Sequence, residues 1–259
     1  MKSFTSYEEL ENLCEAMIKD FFRQKGYTNV LCVDIEAFVT EYLGTPVVYE
    51  TFAEEDPGKI GFLSDGARPL LVRRGSITTE VVFPPDTIVI DAFLLHEQES
   101  ARKRFTIAHE GAHHLLGRHV PVQTNFAAAF HNEYDNEQAY TKEALREMLS
   151  INESFANRGG ACFLMPQFLV LRALARFNAS KPVIVYEGKV LAQSQKLLVQ
   201  RMADAMGVSY TAFFNRLREL RMFEHRPIEE YVHSELQLSD ILKIENDTQL
   251  FNQPFDQVG

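Results

Sequence analysis

The sequence predicts an α+β fold: a small, mostly antiparallel sheet packed on two long helices, with a helical C-terminal part. Three observations lead there. Apolar residues recur at helical intervals near the start of the chain, from Glu97 onward and again from Thr141. Five short β-branched or aromatic runs crowd into residues 46–91. With 46% apolar residues, 20 of the 259 positions being Phe, the chain also has ample material for a buried core.

In order along the chain, residues 6–24 carry Leu10, Leu13, Ile18, Phe21 and Phe22 at helical spacing, and residues 33–43 repeat the pattern before Gly44. Two short helices should open the protein. The runs "PVVYETF", "KIGFLSD", "PLLVRRG", "TEVVFPP" and "DTIVIDA" are separated by Gly, Pro and Asp, as short strands and their turns are. Helical spacing returns from Glu97 through Leu116, and Gly117 is expected to stop it as a left-handed cap. Residues 118–140 lose periodicity and read as a long loop or insertion. Helices follow over about Thr141–Leu164 and, after Pro166, through Arg176; the strand "PVIVYE" then precedes a helix pair within 190–223. No repeat or low-complexity linker divides the chain, so one domain over 1–235 is expected, with 236–259 as a weakly packed tail.

Charge and cysteine usage narrow the partners. Lys and Arg number 26 against 36 Asp and Glu, and the net charge of -10 opposes attraction to bulk nucleic acid or an anionic membrane. No stretch approaches the roughly 18 apolar residues of a membrane span, and the start alternates acidic and apolar residues, unlike a secretory signal. Cys14, Cys32 and Cys162 are odd in number and widely spaced, which suggests neither a disulfide framework nor a cysteine zinc site. A reducing cytoplasm is the expected location.

Chemistry concentrates in "FTIAHEGAHHLLGRH", Phe105 to His119. His109, Glu110 and His113 form H-E-x-x-H, and on a helix the two histidines stand one turn apart on one face, where both imidazoles reach one ion. Glu110, about 100° round from His109, borders that ion as a general base toward water. His114 is turned about 100° from His113 and reads as a neighbour of the site. Gly111 costs about 1 kcal/mol relative to Ala inside a helix, which makes sense if another backbone or a substrate comes close. A hydrolytic zinc site takes three protein ligands, and two residues compete to be the third. His119 lies six residues after His113, the metzincin offset, although Leu116 stands where that pattern needs its glycine. Glu153 lies in "INESFANRGGACFLMP" with Asn157 one helical turn on, so that one segment offers both a carboxylate ligand and an acceptor for the spare N–H of a ligating imidazole.

"RKRFTIAHEGAHHLL" followed by "ESFANRGGACFLMP" resembles the signature of the ImmA/IrrE family of metallopeptidases, over roughly residues 30–223. The resemblance implies zinc held by His109, His113 and Glu153, with Glu110 as the catalytic acid/base and Asn157 orienting a ligand histidine. It also implies a zinc-dependent endopeptidase whose protein substrates are specific regulators, such as helix-turn-helix transcriptional repressors. Gly159 and Gly160 stand where the family pattern has Phe-Ala, which predicts a weakened helix with unfilled space beside it. For the oxyanion, Tyr134, Tyr140 and His131 in the insertion are candidates with nothing to choose between them.

"QRMADAMGVSYTAFFNRLREL" has the offsets of a helix-turn-helix, which would let Arg216 and Arg218 touch phosphate. Its apolar residues at helical intervals equally describe an amphipathic pair packed beneath the catalytic part, and the acidic chain favours that reading. The rival to an enzyme is a non-catalytic metal-binding regulatory or protein-binding module.

Overall fold

The computed structural model describes residues 6–56, 58–119 and 142–232, with the side chains of 118–119 and 142–152 outside the description. Helix α1 (Tyr7–Lys25) begins where a capping box dictates: Ser6 Oγ accepts from the Glu9 backbone N–H (3.1 Å), and the Glu9 carboxylate accepts from the Ser6 N–H (2.9 Å). It ends at Gly26, which takes the left-handed conformation (φ 70°) of a C-terminal cap. Its buried stripe, Leu10, Cys14, Ile18, Phe21 and Phe22, is the one that the spacing marks, with Cys14 in place of Leu13; Leu13 is 39% exposed. Burying each large apolar side chain of that stripe contributes about 1.5–3 kcal/mol. Helix α2 (Ile35–Ala37) runs on as a π-helical turn, Phe38–Tyr42, and Phe38 stacks its ring edge on Phe21 at 5.4 Å.

The expected small sheet appears as two pieces. Strands β1 (Val47–Glu50), β5 (Ile88–Asp91) and β2 (Gly61–Leu63) form a mixed sheet in that order, with β1 parallel and β2 antiparallel to the central β5. Strands β3 (Leu70–Arg74) and β4 (Ile77–Val81) form an antiparallel hairpin turned by Gly75 (φ 65°). The run "TEVVFPP" thus pairs from Ile77, earlier than its apolar residues suggest, because the short turn fixes the register.

Helix α3 (Ser100–His119) follows two 3-10 turns, Ala92–Leu95 and Glu97–Glu99. It packs on β2 and β5 with one face and on α4 (Lys142–Leu164) with another. Among the described residues the long helix α4 lies chiefly against α3 and α1. The predicted stop at Gly117 is corrected: α3 continues through Gly117 to His119, since a glycine that keeps helical torsions costs only about 1 kcal/mol and does not end a helix. Residues 120–141, most of the predicted insertion, and the 236–259 tail lie outside the described residues.

Pro166 breaks α4 from α5 (Gln167–Asn178), which leaves at 47°. Among the described residues no single helix is long and apolar enough to cross a membrane; this bent pair reaches that composition because Phe163, Leu164, Leu169 and Val170 form the core. Strand β6 (Val183–Tyr186), helices α6 (Gln193–Met206) and α7 (Tyr210–Glu219), strand β7 (Phe223–Arg226) and the short α8 (Ile228–Tyr231) complete the described chain. β7 pairs parallel with β6, a strand that the sequence does not announce because Glu224 and Arg226 interrupt any apolar alternation. The architecture is the α+β class expected, with its helical part C-terminal.

A candidate metal centre where two helices touch

The crossing of α3 and α4 is made by small residues. A Cβ added to Gly160 would come within 3.1 Å of the His109 backbone N, and one added to Gly159 within 2.8 Å of the Ala112 Cβ. The space expected beside this glycine pair is therefore closed by the α3 backbone itself, and the helices meet at the turn that carries His109 and Ala112. Gly111 is explained by packing of another kind: its missing Cβ makes room for the Val39 side chain of the π-turn.

That close approach brings Glu153, one α4 turn and a half before Gly159, over the two histidines. Nε2 of His109 lies 3.0 Å from Nε2 of His113, 3.3 Å from Oε2 of Glu153, and Nε2 of His113 lies 3.3 Å from Oε1 of Glu153. Bonds of about 2.0–2.1 Å in tetrahedral zinc place ligand atoms about 3.4 Å apart, and the two imidazole nitrogens and the carboxylate, which turns one oxygen to each ring, are spaced within reach of one such ion. His109, His113 and Glu153 are the group of His, Cys, Asp and Glu residues that could hold a metal among the described residues. The Nδ1–H of His109 donates to Oδ1 of Asn157 (3.1 Å), which leaves Nε2 with its lone pair toward the shared point.

The protonation pattern follows from the same geometry. The two imidazoles hold the Glu153 carboxyl well below the usual carboxylate range. Burial works to depress the His109 imidazole, but its bond to Glu153 and the charge of Glu110 overcome this and raise it. Glu110 is only 9% exposed, and burial raises its carboxyl against the lowering influence of His113, His109 and the Leu63 backbone N–H. Strand β2 forms its wall: a Cβ on Gly61 would stand 2.8 Å from Oε1 of Glu110 and 2.5 Å from Cγ2 of Thr106. Sequence reasoning missed Gly61, although a lone glycine inside a strand run is the signal of a close approach.

The remaining histidines divide cleanly. His114 turns away from the ligand triangle and bonds through Nδ1 to Asp86 (3.1 Å). His96 and His225 are exposed, and His131 and His233 lie outside the described residues, as do Tyr134 and Tyr140. The side chain of His119 also lies outside them; its backbone, on an uninterrupted α3, stands about 9 Å along the axis from position 113 and some 120° round. The sharp turn that returns a third histidine to the ion in the metzincin pattern is missing.

Residues 87–218, a little over half of the chain, match the family described as Peptidase_M78, IrrE N-terminal-like domain. The chain belongs to this metallopeptidase family. The match begins at Thr87, just before β5, and spans α3, α4 and nearly all of α7, so both helices of the metal centre fall inside it. No curated protein matches the chain significantly.

One candidate contact is corrected by burial. Arg216 is fully buried, its Nε donating to the Met165 carbonyl (2.9 Å) and its two terminal nitrogens to Glu11 (2.6 and 2.7 Å), so it has no face left for a phosphate. Arg218 alone of that pair is exposed.

Proposed function

We propose that the protein is a zinc-dependent endopeptidase acting in a reducing cytoplasm on specific regulatory proteins, helix-turn-helix repressors being the expected class. The observation that carries this reading is the convergence of His109, His113 and Glu153 on one point, with Asn157 behind one imidazole and Glu110 buried beside them. Zinc, when bound by these three residues, polarises a peptide carbonyl and lowers the pKa of water toward about 7.

The chain's own groups supply the proton handling. Glu110, raised by burial, takes a proton from the attacking water as its oxygen bonds to the carbonyl carbon. It returns that proton to the amine nitrogen as the C–N bond breaks. The Leu63 N–H and the β2 backbone at Gly61 keep its carboxyl in place between the sheet and the histidines. Asn157 fixes the His109 tautomer, as a neutral acceptor that raises ring basicity less than an aspartate would.

The deciding experiment incubates zinc-loaded protein with candidate repressors beside its Glu110→Gln variant. A defined product lost in the variant is expected; an intact partner that co-purifies equally with both would instead identify a non-catalytic binding module. Metal analysis of Glu153→Ala and His119→Ala tests the ligand set separately. Zinc retained in the first and lost in the second would overturn it.

A further inference from the structure

A groove of about 910 Å³ starts at Glu153 and Asn157 and runs along the contact of α3 and α4, with α7 as its third wall. Its α4 side follows one face, Glu153, Asn157, Ala161 and Met165, at intervals of four residues. Opposite it stand Val208, just before α7, and Thr211, Ala212 and Asn215 on α7, three or four residues apart. Twelve residues of α4 rise about 18 Å, the length of about five residues in an extended chain. The volume lies within the roughly 300–1,000 Å³ usual for ligand pockets.

The chemistry of the walls is mostly apolar. Phe105, Ala161 and Ala212 are only partly buried against the core, and Met165 and Val208 lie buried beneath them. The charged groups at the α1 end are committed to one another: Arg216 to Glu11, and Arg158 to Glu11 (2.8 Å) and Glu219 (3.5 Å). Small side chains at 161 and 212, on facing helices, leave the width. The α6–α7 pair, whose motif suggested nucleic acid, thus spends its buried arginine on the core and turns the start of α7 toward the metal centre.

We propose that Val208 and the α7 residues Thr211 and Ala212 wall a binding groove for apolar residues of the substrate polypeptide on one side of the scissile bond. This rests on the endopeptidase reading for its orientation, and the helix pair then selects substrate instead of reading DNA. Continuity with Glu153, itself one of the three candidate ligands, names the occupant: the groove opens beside that carboxylate, where a polypeptide held at the metal centre can extend into it.

The test uses full-length protein and a set of fluorogenic decapeptides that differ at single positions. Peptides with Phe or Leu in the groove should be cut about tenfold faster than those with Asp or Lys there, and Ala212→Phe, which fills the groove, should reduce that preference to about twofold or less. Thr211→Arg, a change at an exposed position that the fold tolerates, should instead raise the rate on acidic peptides about fivefold. A preference unaltered in both folded variants would overturn the groove assignment. Should the wild type cut none of the peptides, the endopeptidase reading fails by itself, and binding then decides the groove. Labelled Phe- or Leu-bearing peptides should bind Glu110→Gln and weaken about tenfold with Ala212→Phe added, read by anisotropy; no binding, or equal binding, rejects it.

Discussion

Helix α4 carries two polar clusters, less than two turns apart, that answer the same problem in opposite ways. Around Arg158 and Arg216, each charge meets its opposite: Glu11 takes both terminal nitrogens of Arg216 while Arg158 and Glu219 close the set. Around Glu153, by contrast, two imidazole nitrogens and a carboxylate converge on one point, 3.0–3.3 Å from one another, as ligands of a single ion do. The first cluster is complete as protein. The second gathers three residues that could hold one cation, and that difference separates a structural ion network from a candidate ligand set when both draw on the same helix.

The comparison breaks most severely if Glu110 does nothing. Glu110→Gln should lower turnover by about 10²- to 10⁴-fold with zinc content unchanged, as single-turnover cleavage and metal analysis would read. Next comes the ion network, where removal of one buried partner strands the other. Arg216→Ala should cost about 3–5 kcal/mol of stability in urea melts while the folded fraction keeps its zinc. A folded Arg216→Ala protein without zinc would show that the two clusters are one unit.

Smaller effects sharpen the contrast. Asn157→Ala should weaken zinc about 10- to 100-fold in competition titrations with a chelator and leave the thermal stability of the zinc-free protein nearly unaltered. The mildest is a pH effect on the ion network. Burial works to raise the Glu11 carboxyl, but the bonds and charge of Arg216, with the charge of Arg158, bring it down from 4.5 to about 2. The native state therefore binds fewer protons than the unfolded one, so the contribution is full above about pH 4.5 and fades as pH falls toward 2. Urea midpoints of wild type and Glu11→Gln should differ at neutral pH, draw together as pH falls below about 4.5 and meet only below about pH 2.

Much of the fold was legible in the sequence for local reasons. The α1 stripe and the β-rich 46–91 segment are written in spacing and turn residues, and the structure shows them. The Gly117 stop was misread because a glycine permits a left-handed cap without requiring one. The parallel pairing of β1 with β5, and of β6 with β7, was beyond reach, since it joins segments about 40 residues apart that carry no mark of their partner.

By itself the sequence determined the pairing of His109 with His113, because residues four apart on any α-helix share a face. It also set Glu110 beside them and, through the family signature, nominated Glu153 and Asn157. Only the tertiary structure decided that a carboxylate 40 residues away reaches the histidines, and the reason is steric: glycines at 159 and 160 let α4 rest on the backbone of α3. It decided too that Arg216 belongs to the core, because burial forces a guanidinium to find Glu11 and the Met165 carbonyl. Helical periodicity places a residue on a face; what stands opposite that face is settled by packing between distant segments.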